Sequence, residues 1–332
     1  MTNKHNHQRG VALITVMLIV ALAAILATEM TARLQHQLQR SSNIQFNQQA
    51  YWYAMGAEAF AKRVLVMDNE KEDEVTNLQQ QWAQGYNNFP VPQGEISGGL
   101  FDLHACLNLN ALRAIPENAN NNPNQEVPAR AALERLIVNL GVEGVSEFEA
   151  EYMADALTDW LDENDQIASA GGAEDNDYAS KEFPYLAANS FLASVQELRV
   201  VEHFTPAVIN ELKAYTCIIP GSDAHKININ TLTEEQLPLL QALLDITVDE
   251  AKSIIDARDP EGFDNIDDFK NMPELTELNL TDEQKQQFVV DSEYFTLKAN
   301  AQFNNSYFNL VSTLQVVDNS QVSVIGRTIG RF

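Results

Sequence analysis

VALITVMLIVALAAILA, residues 11–27, is the stretch from which the rest of this chain is read. It is an unbroken apolar run whose only polar member is Thr15. Its seventeen residues span about 26 Å as a helix, near the lower limit for crossing a bilayer core. Ahead of it lies MTNKHNHQRG, which carries Lys4 and Arg9 and no acid. Positive charge before an apolar run holds that end in the cytoplasm and sends the following chain outward. A cleavable secretory signal predicts small residues and a break directly after the run. Here the run passes into Thr28-Glu29-Met30-Thr31-Ala32-Arg33-Leu34, with no proline before Pro90 and no further glycine before Gly56. That pattern predicts one long helix emerging from the membrane, retained as a single-pass anchor; a generic signal anchor fits the run as well.

The chain has 332 residues, 45% of them hydrophobic, enough to bury one large core or two smaller ones. Acids outnumber bases 47 to 21, a net charge of -26 that repels a phosphate backbone and argues against nucleic acid as a partner. The same surplus suits a hard cation such as calcium, which takes oxygen ligands. The two cysteines, Cys106 and Cys217, form no C-x-x-C pair. In an oxidising compartment they either bridge, worth on the order of 4 kcal/mol for so long a loop, or remain two buried thiols.

Beyond the helix, the polar stretch from Asp68 to Asn88 leads into Pro90, Pro92, Gly94, Gly98 and Gly99, which read as turns. Leu100 to Cys106 reads as a half-buried strand. The C-terminal segment is strand-rich, at 294–303, 307–317 and 321–327, with breaks at Asn304-Asn305 and Asp318-Asn319-Ser320. A long helix and an antiparallel sheet are thus separated by a large insertion. After the polar loop Asn118–Asn124, its periodicity predicts helices at 129–140, 147–161, 194–200, 206–212, 234–244 and 248–257. A weak repeat runs through it: Leu107-Asn108-Leu109-Asn110-Ala111-Leu112 parallels Ile227-Asn228-Ile229-Asn230-Thr231-Leu232. Two stacked helical units, of SAM-like or helix-hairpin-helix-like type, are expected to share one core.

The second unit, through Ala251, Ile254-Ile255, Arg258 and Gly262-Phe263, resembles the helix-hairpin-helix modules of DNA-binding proteins. Those modules offer glycine backbone N–H groups to a phosphate. The corresponding turn here, Leu244-Asp245-Ile246-Thr247, has an acid and no glycine. Binding of nucleic acid is therefore not expected. Oxygen ligands are densest from Asp159 to Tyr178, which holds seven carboxylates and two asparagines with Gly171-Gly172 among them. The spacing is not that of an EF-hand. The segment reads either as a solvated acidic loop or as a wrap for calcium. The six histidines are scattered. His104 and Cys106 share a strand face on this reading, a pairing more often structural than nucleophilic. No H-E-x-x-H, G-x-S-x-G or P-loop is present, and no enzyme is expected.

Arg9-Gly10 followed directly by an apolar helix resembles the site at which prepilin peptidase cuts type IV pilins and pseudopilins. Most of that family carries a glutamate five residues into the mature chain. This sequence has Thr15, and with the large insertion it is similar to the K-type minor pseudopilins of bacterial type II secretion systems. The resemblance also covers Asn189-Ser190-Phe191 and Ser194 to Val200. It implies cleavage after Gly10 and N-methylation of Val11, an α+β pilin-like fold with a mostly helical inserted domain, and a structural role at the pseudopilus tip. It divides the chain into a leader (1–10), the anchor helix and first pilin segment (11–108), the insertion (109–287) and the closing strands (288–332). Expected partners are other minor pseudopilins, prepilin peptidase and the inner-membrane assembly platform, with the C-terminal domain in the periplasm. The Trp160-x-Asp162 and Gly172-Ala173-Glu174-Asp175 elements are shared, and calcium is implied by the family, with Asp162, Asp165, Glu174, Asp175 and Asp177 as ligands. Glu197 and Arg199 read as a helix start and surface charge without chemistry. The alternative is a tip pilin of a related type IV pilus or DNA-uptake system, with a nucleic-acid-binding helix-hairpin-helix module.

Overall fold

The computed structural model describes residues 9–70, 75–114, 127–276, 278, 280–318 and 321–330. The loop predicted at Asn118–Asn124 and the turn residues Asn319 and Ser320 lie outside the described residues, as does the leader before Arg9. Helix α1 runs from Arg9 to Asn69, 61 residues without a proline. Its threonines bond inward: Thr15 donates to Ala12 O at 2.9 Å and Thr31 to Ala27 O at 2.8 Å. A hydroxyl satisfied this way adds little polarity to a membrane helix. The stretch of α1 that starts at Val11 is long and apolar enough to cross a membrane, and its apolar window is not buried by any other described residue.

Further along, Ala50, Ala54, Glu58, Ala61 and Leu65 are buried at helical spacing. Alanine at three of these positions lets a sheet lie close against α1. That sheet has five strands in the order β1-β2-β7-β8-β9, comprising β1 (Asn87–Val91), β2 (Gly94–Asp102), β7 (Tyr294–Phe303), β8 (Ser306–Asp318) and β9 (Gln321–Ile329). All its pairings are antiparallel. Phe295, Leu297, Ala299 and Ala301 alternate along β7 toward α1, joined by Leu100, Leu314 and Val322. Glu58 of α1 accepts from Ser312 of β8 at 2.6 Å and from two nitrogens of Arg327 of β9 at 2.7 and 2.8 Å. Arg327 holds the Glu58 carboxyl below its ordinary pKa.

Two sequence expectations change here. Residues 87–102 form a hairpin, not a string of turns. Pro90 is tolerated because β1 is an edge strand. Gly94 and Gly98 are needed for close approach: a Cβ would stand 1.9 Å from Gln302 O and 2.7 Å from Lys298 O. The turn itself is Pro92-Gln93, with Gln93 at φ 60°. The strand predicted through Cys106 stops at Asp102, so His104 and Cys106 lie in turns and share no strand face.

Between β2 and β7 lies the helical part, with α2 (Pro128–Asn139), α3 (Glu147–Leu161), α4 (Asp175–Ala179), α5 (Pro206–Leu212), α6 (Leu237–Leu244) and α7 (Val248–Asp256), then α8 (Ile266–Lys270), α9 (Pro273–Thr276) and α10 (Asp282–Gln286). The helix predicted at 194–200 is one 3-10 turn, and that at 234–244 begins with a 3-10 turn before Pro238. The repeat is structural. Leu107–Asn108 (β3) pairs in parallel with Thr216–Cys217 (β4), and Ile227–Asn228 (β5) pairs in parallel with Phe288–Val289 (β6). Each unit is thereby clasped end to start. The asparagines are wired alike. Asn108 accepts from Asn110 N and Asn228 from Asn230 N. Asn110 exchanges two bonds with the backbone of Leu192, as Asn230 does with Phe263. A single cluster of buried apolar residues spans both units.

The helical part is fixed to the sheet through Asp102 at the end of β2. Its carboxylate accepts from Thr231 at 2.6 Å, Ser292 at 2.7 Å and His104 N at 2.7 Å. Burial raises its pKa.

Candidate metal centre

The acidic segment begins in the last turn of α3 and returns to α4. Asp159 is fully buried, with Oδ1 accepting from Ala168 N at 3.3 Å and Oδ2 left without a partner. Gly172 passes so close that a Cβ there would be 2.0 Å from that Oδ2. Glu174 is also buried, and neither of its carboxylate oxygens has a donor. Burial, reinforced by the charges of Asp159, Asp162, Asp165 and Asp175, pushes the Glu174 pKa up to about 7. Burial does the same to Asp159, up to about 6, with Asp162 and Asp155 contributing. Carboxylates held this way, with three oxygens between them left without donors, lack the counter-charge that buried anions need.

The five residues singled out from sequence divide between two tasks. Asp162 accepts from the backbone and side chain of Asn164, and Asp165 accepts from Asn189 Nδ2 at 2.9 Å. Asp162 is half-buried and Asp165 exposed, and both bear electrostatically on Glu174. Asp175 instead ties down the next loop by accepting from Ala187 N, and Asp177 caps α4 by accepting from Glu174 N. Asn189 adopts a left-handed φ of 46° and its own Oδ1 is unpartnered. Among the described residues, no three His, Cys, Asp or Glu side chains converge tightly enough to form a ready-made metal site. The fit to a cation rests on the stranded oxygens of Asp159, Glu174 and Asn189.

Asp159 and Asn189 were not among the residues singled out from sequence. Asp159 lies in the last turn of α3, and Asp162 follows as its extended C-cap, so the two enter the segment from the end of one helix. Asn189 stood in the sequence only as part of the shared Asn189-Ser190-Phe191 stretch, and its role follows from the bond it donates to Asp165. The surrounding frame includes Arg113, which donates to Leu161 O at 2.9 Å and pairs with Glu163. Glu197 accepts from the Trp160 indole at 3.1 Å and from Ala193 N at 3.0 Å, so it ties α3 to the following loop.

The remaining sequence candidates lie elsewhere. Cys106 and Cys217 are bridged beside the β3–β4 clasp, so neither thiol is free to act as a nucleophile. Gly10 and Val11 fall in the first turns of α1. The Leu244–Thr247 turn, with Asp245 at φ 57°, faces Arg135 of α2, which donates to Ala242 O at 3.0 Å and approaches Asp245 at 3.8 Å.

Residues 105–221 and 227–291 match two family models, each described as type II secretion system (T2SS), protein K. Their limits fall at the two clasped units. The type II secretion system protein K of Aeromonas hydrophila is 38% identical over 262 residues, 77% of each chain. That of Pectobacterium carotovorum subsp. carotovorum is 33% identical over 329 residues, 98% of each. This chain belongs to the type II secretion system protein K family. In architecture, too, the K-family chain resembles a solved relative. A chain in the crystal structure of the GspK-GspI-GspJ complex from enterotoxigenic Escherichia coli superposes with a TM-score of 0.77 at 30% identity, covering 88% of this chain and 100% of that one. The K-family protein is thus an α+β minor pseudopilin, a structural component of its secretion system, with an N-terminal helix that fits a single-pass membrane anchor.

Proposed function

We propose that this K-family chain caps the tip of the periplasmic pseudopilus, held in the inner membrane by α1 and assembled with other minor pseudopilins. The observation that carries this is the insertion of two clasped helical units between β2 and β7 of an otherwise pilin-like body. Such a bulk is too wide to pass inside a helically packed filament and fits only at an end. Thr15 supports the same place. A buried acid at that position needs a partner amine from a neighbour, whereas the Thr15 hydroxyl is already satisfied by Ala12 O. Prepilin peptidase cleaves after Gly10 and Val11 is N-methylated, which removes Lys4 and Arg9 and increases the net negative charge by two. The assembly platform of the inner membrane then receives the subunit.

The acidic segment holds calcium through the stranded oxygens of Asp159, Glu174 and Asn189, with Asp162 and Asp165 adding negative charge beside them and Asp175 and Asp177 shaping the loop. Calcium supplies the positive charge that the stranded oxygens lack, and it accepts irregular oxygen geometry. What the chain's own residues contribute is a preformed wall: α3 fixes Asp159, Gly172 makes room beside it, and the α4 cap aims Glu174 inward. The known GspK was crystallised with GspI and GspJ, and the corresponding test is direct. Full-length chain, co-expressed with the other minor pseudopilins of its own secretion locus, is expected to co-purify with them from detergent extracts. Recovery of the chain alone would overturn the proposal.

A further inference from the structure

The helix-hairpin-helix turn between α6 and α7 is the one sequence motif that neither the filament role nor the acidic segment uses. In DNA-binding modules such a turn offers free N–H groups to a phosphate. Here the N–H groups of the turn are committed within the chain. Asp245 N and Ile246 N both donate to Gln241 O, and Thr247 N donates to Glu250 Oε2 at 2.7 Å. The last carbonyls of α6 are closed as well. Ala242 O accepts from Arg135 at 3.0 Å, Leu243 O from Gln287 at 3.1 Å and Leu244 O from Gln284 at 3.0 Å. What the turn still presents is the Asp245 carboxylate, 70% exposed. Beside it, between α2 and the second unit, opens a cleft of about 610 Å³. Its walls include Ala131, Leu244, Ile246 and Leu280, and its acids are Asp245 and Glu250. Among the described residues its one cation is Arg135, which is turned onto Ala242 O and stands 3.8 Å from Asp245, beyond hydrogen-bond reach. The Asp245 oxygens therefore keep their capacity to accept. Around the cleft, residues 234–286 carry fifteen acids and four bases.

We infer that this cleft docks a lysine-bearing segment of a partner protein, with the side-chain stem along the apolar walls and the ammonium at Asp245 and Glu250. The scaffold has exchanged a phosphate for a cation as its ligand. Three features select this occupant. An anion finds no free N–H at the turn and meets two carboxylates, whereas a cation meets acceptors. Lysine joins an apolar stem to a compact charge, which matches leucine walls ending at acids, and the cleft has the volume of a recognition pocket. Finally, the acidic surface extends well beyond the cleft, so it steers a segment with several basic residues more strongly than it steers a single amine. The inference does not depend on the tip assembly.

The test titrates full-length chain, in an uncharged detergent, against a dye-labelled octapeptide of alternating lysine and alanine, read by fluorescence anisotropy. The glutamate–alanine counterpart is the control and should not bind. Asp245→Asn is expected to weaken lysine-peptide binding about tenfold, the loss of one charge-assisted hydrogen bond. Asparagine tolerates the left-handed φ of 57° at this position, so the melting temperature should stay parental. Asp249→Asn makes the same change in net charge on the first turn of α7, outside the cleft lining, and should weaken binding less than about twofold. Pro128→Lys, at an exposed residue on the α2 wall, sets a cation of the chain's own at the rim and should weaken binding about tenfold. Equal losses in Asp245→Asn and Asp249→Asn would reduce the effect to the general attraction of an acidic chain and overturn the inference. So would a parent that does not bind the lysine peptide, or parental binding by Pro128→Lys. Displacement of the peptide by equimolar spermine would also overturn it, by giving the cleft to a free polyamine. If Asp245→Asn melts low, Pro128→Lys decides alone.

Discussion

Glu174→Gln separates a cation site from an acidic loop by the sign of its effect. In the parent, Glu174 is buried with both oxygens unpartnered while the charges of Asp159, Asp162, Asp165 and Asp175 press on it. Without a cation the arrangement is unfavourable. With calcium at a hundredfold excess over its dissociation constant, binding to the folded state alone stabilises it by about 2.7 kcal/mol. For a body of this size that raises the melting temperature by about 5–10 °C. The amide keeps the shape and removes one negative charge. In chelator the variant should therefore be more stable than the parent, by on the order of 1 kcal/mol for relief of like-charge repulsion. In calcium it should be less stable, because a ligand is gone. The two melting curves, parent and variant, should cross over between chelator and calcium. Glu163→Ala is the control, since Glu163 is exposed and pairs with Arg113; its calcium response should stay near parental. Magnesium should substitute poorly, because it demands tighter octahedral geometry. A parental melting curve indifferent to calcium and chelator would refute the reasoning, as would a variant destabilised equally in both.

Gly10→Val should leave uncleaved precursor in the membrane and stop assembly; an N-terminus beginning at Met1 on the parental mature protein would contradict this. Reducing the Cys106–Cys217 bridge, which closes a separation of 111 residues, should lower stability by about 4 kcal/mol. Thermal melts with and without reductant should show it, and Cys106→Ser/Cys217→Ser should not respond. Glu58→Gln removes an anion that accepts three short bonds from Ser312 and Arg327. Arg327 is 47% exposed and stays hydrated when abandoned, so the cost is about 2–3 kcal/mol, at the lower edge of that for breaking a buried pair. The Glu58 pKa is lowered in the fold, so its contribution is present above the ordinary value of 4.5 and is lost as pH falls through the folded value. The stability gap between parent and Glu58→Gln should accordingly close below that pH; a gap independent of pH would show that the charge is immaterial.

The parts legible in the sequence were those where one residue pattern has one meaning. An apolar run continuing without proline into Tyr51 and Phe60 can only be a long helix. The alternation of Phe295, Leu297, Ala299 and Ala301 between turn residues marks β7 to within a residue. The β1–β2 hairpin was hidden because proline and glycine carry two meanings. They break chains, but they also suit an edge strand and allow the close backbone approach seen at Gly94. The two-residue strands at Thr216–Cys217 and Phe288–Val289 have no period to detect and exist only because a distant partner aligns them. At the acidic segment the composition pointed to the region, while burial decided which oxygens are stranded. Asp175 and Asp177 are joined to backbone amides, whereas Asp159 is shut in by Gly172, and no spacing rule distinguishes these outcomes.

The most direct test of the central claim is secretion itself. Deleting this gene in its own host, and restoring it from a plasmid, should respectively abolish and recover the release of type II exoproteins into the medium. In the deletion strain the folded exoproteins should accumulate in the periplasm, with total synthesis unchanged. Restoration with the Gly10→Val form should fail. Normal release of those exoproteins by the deletion strain would contradict the account.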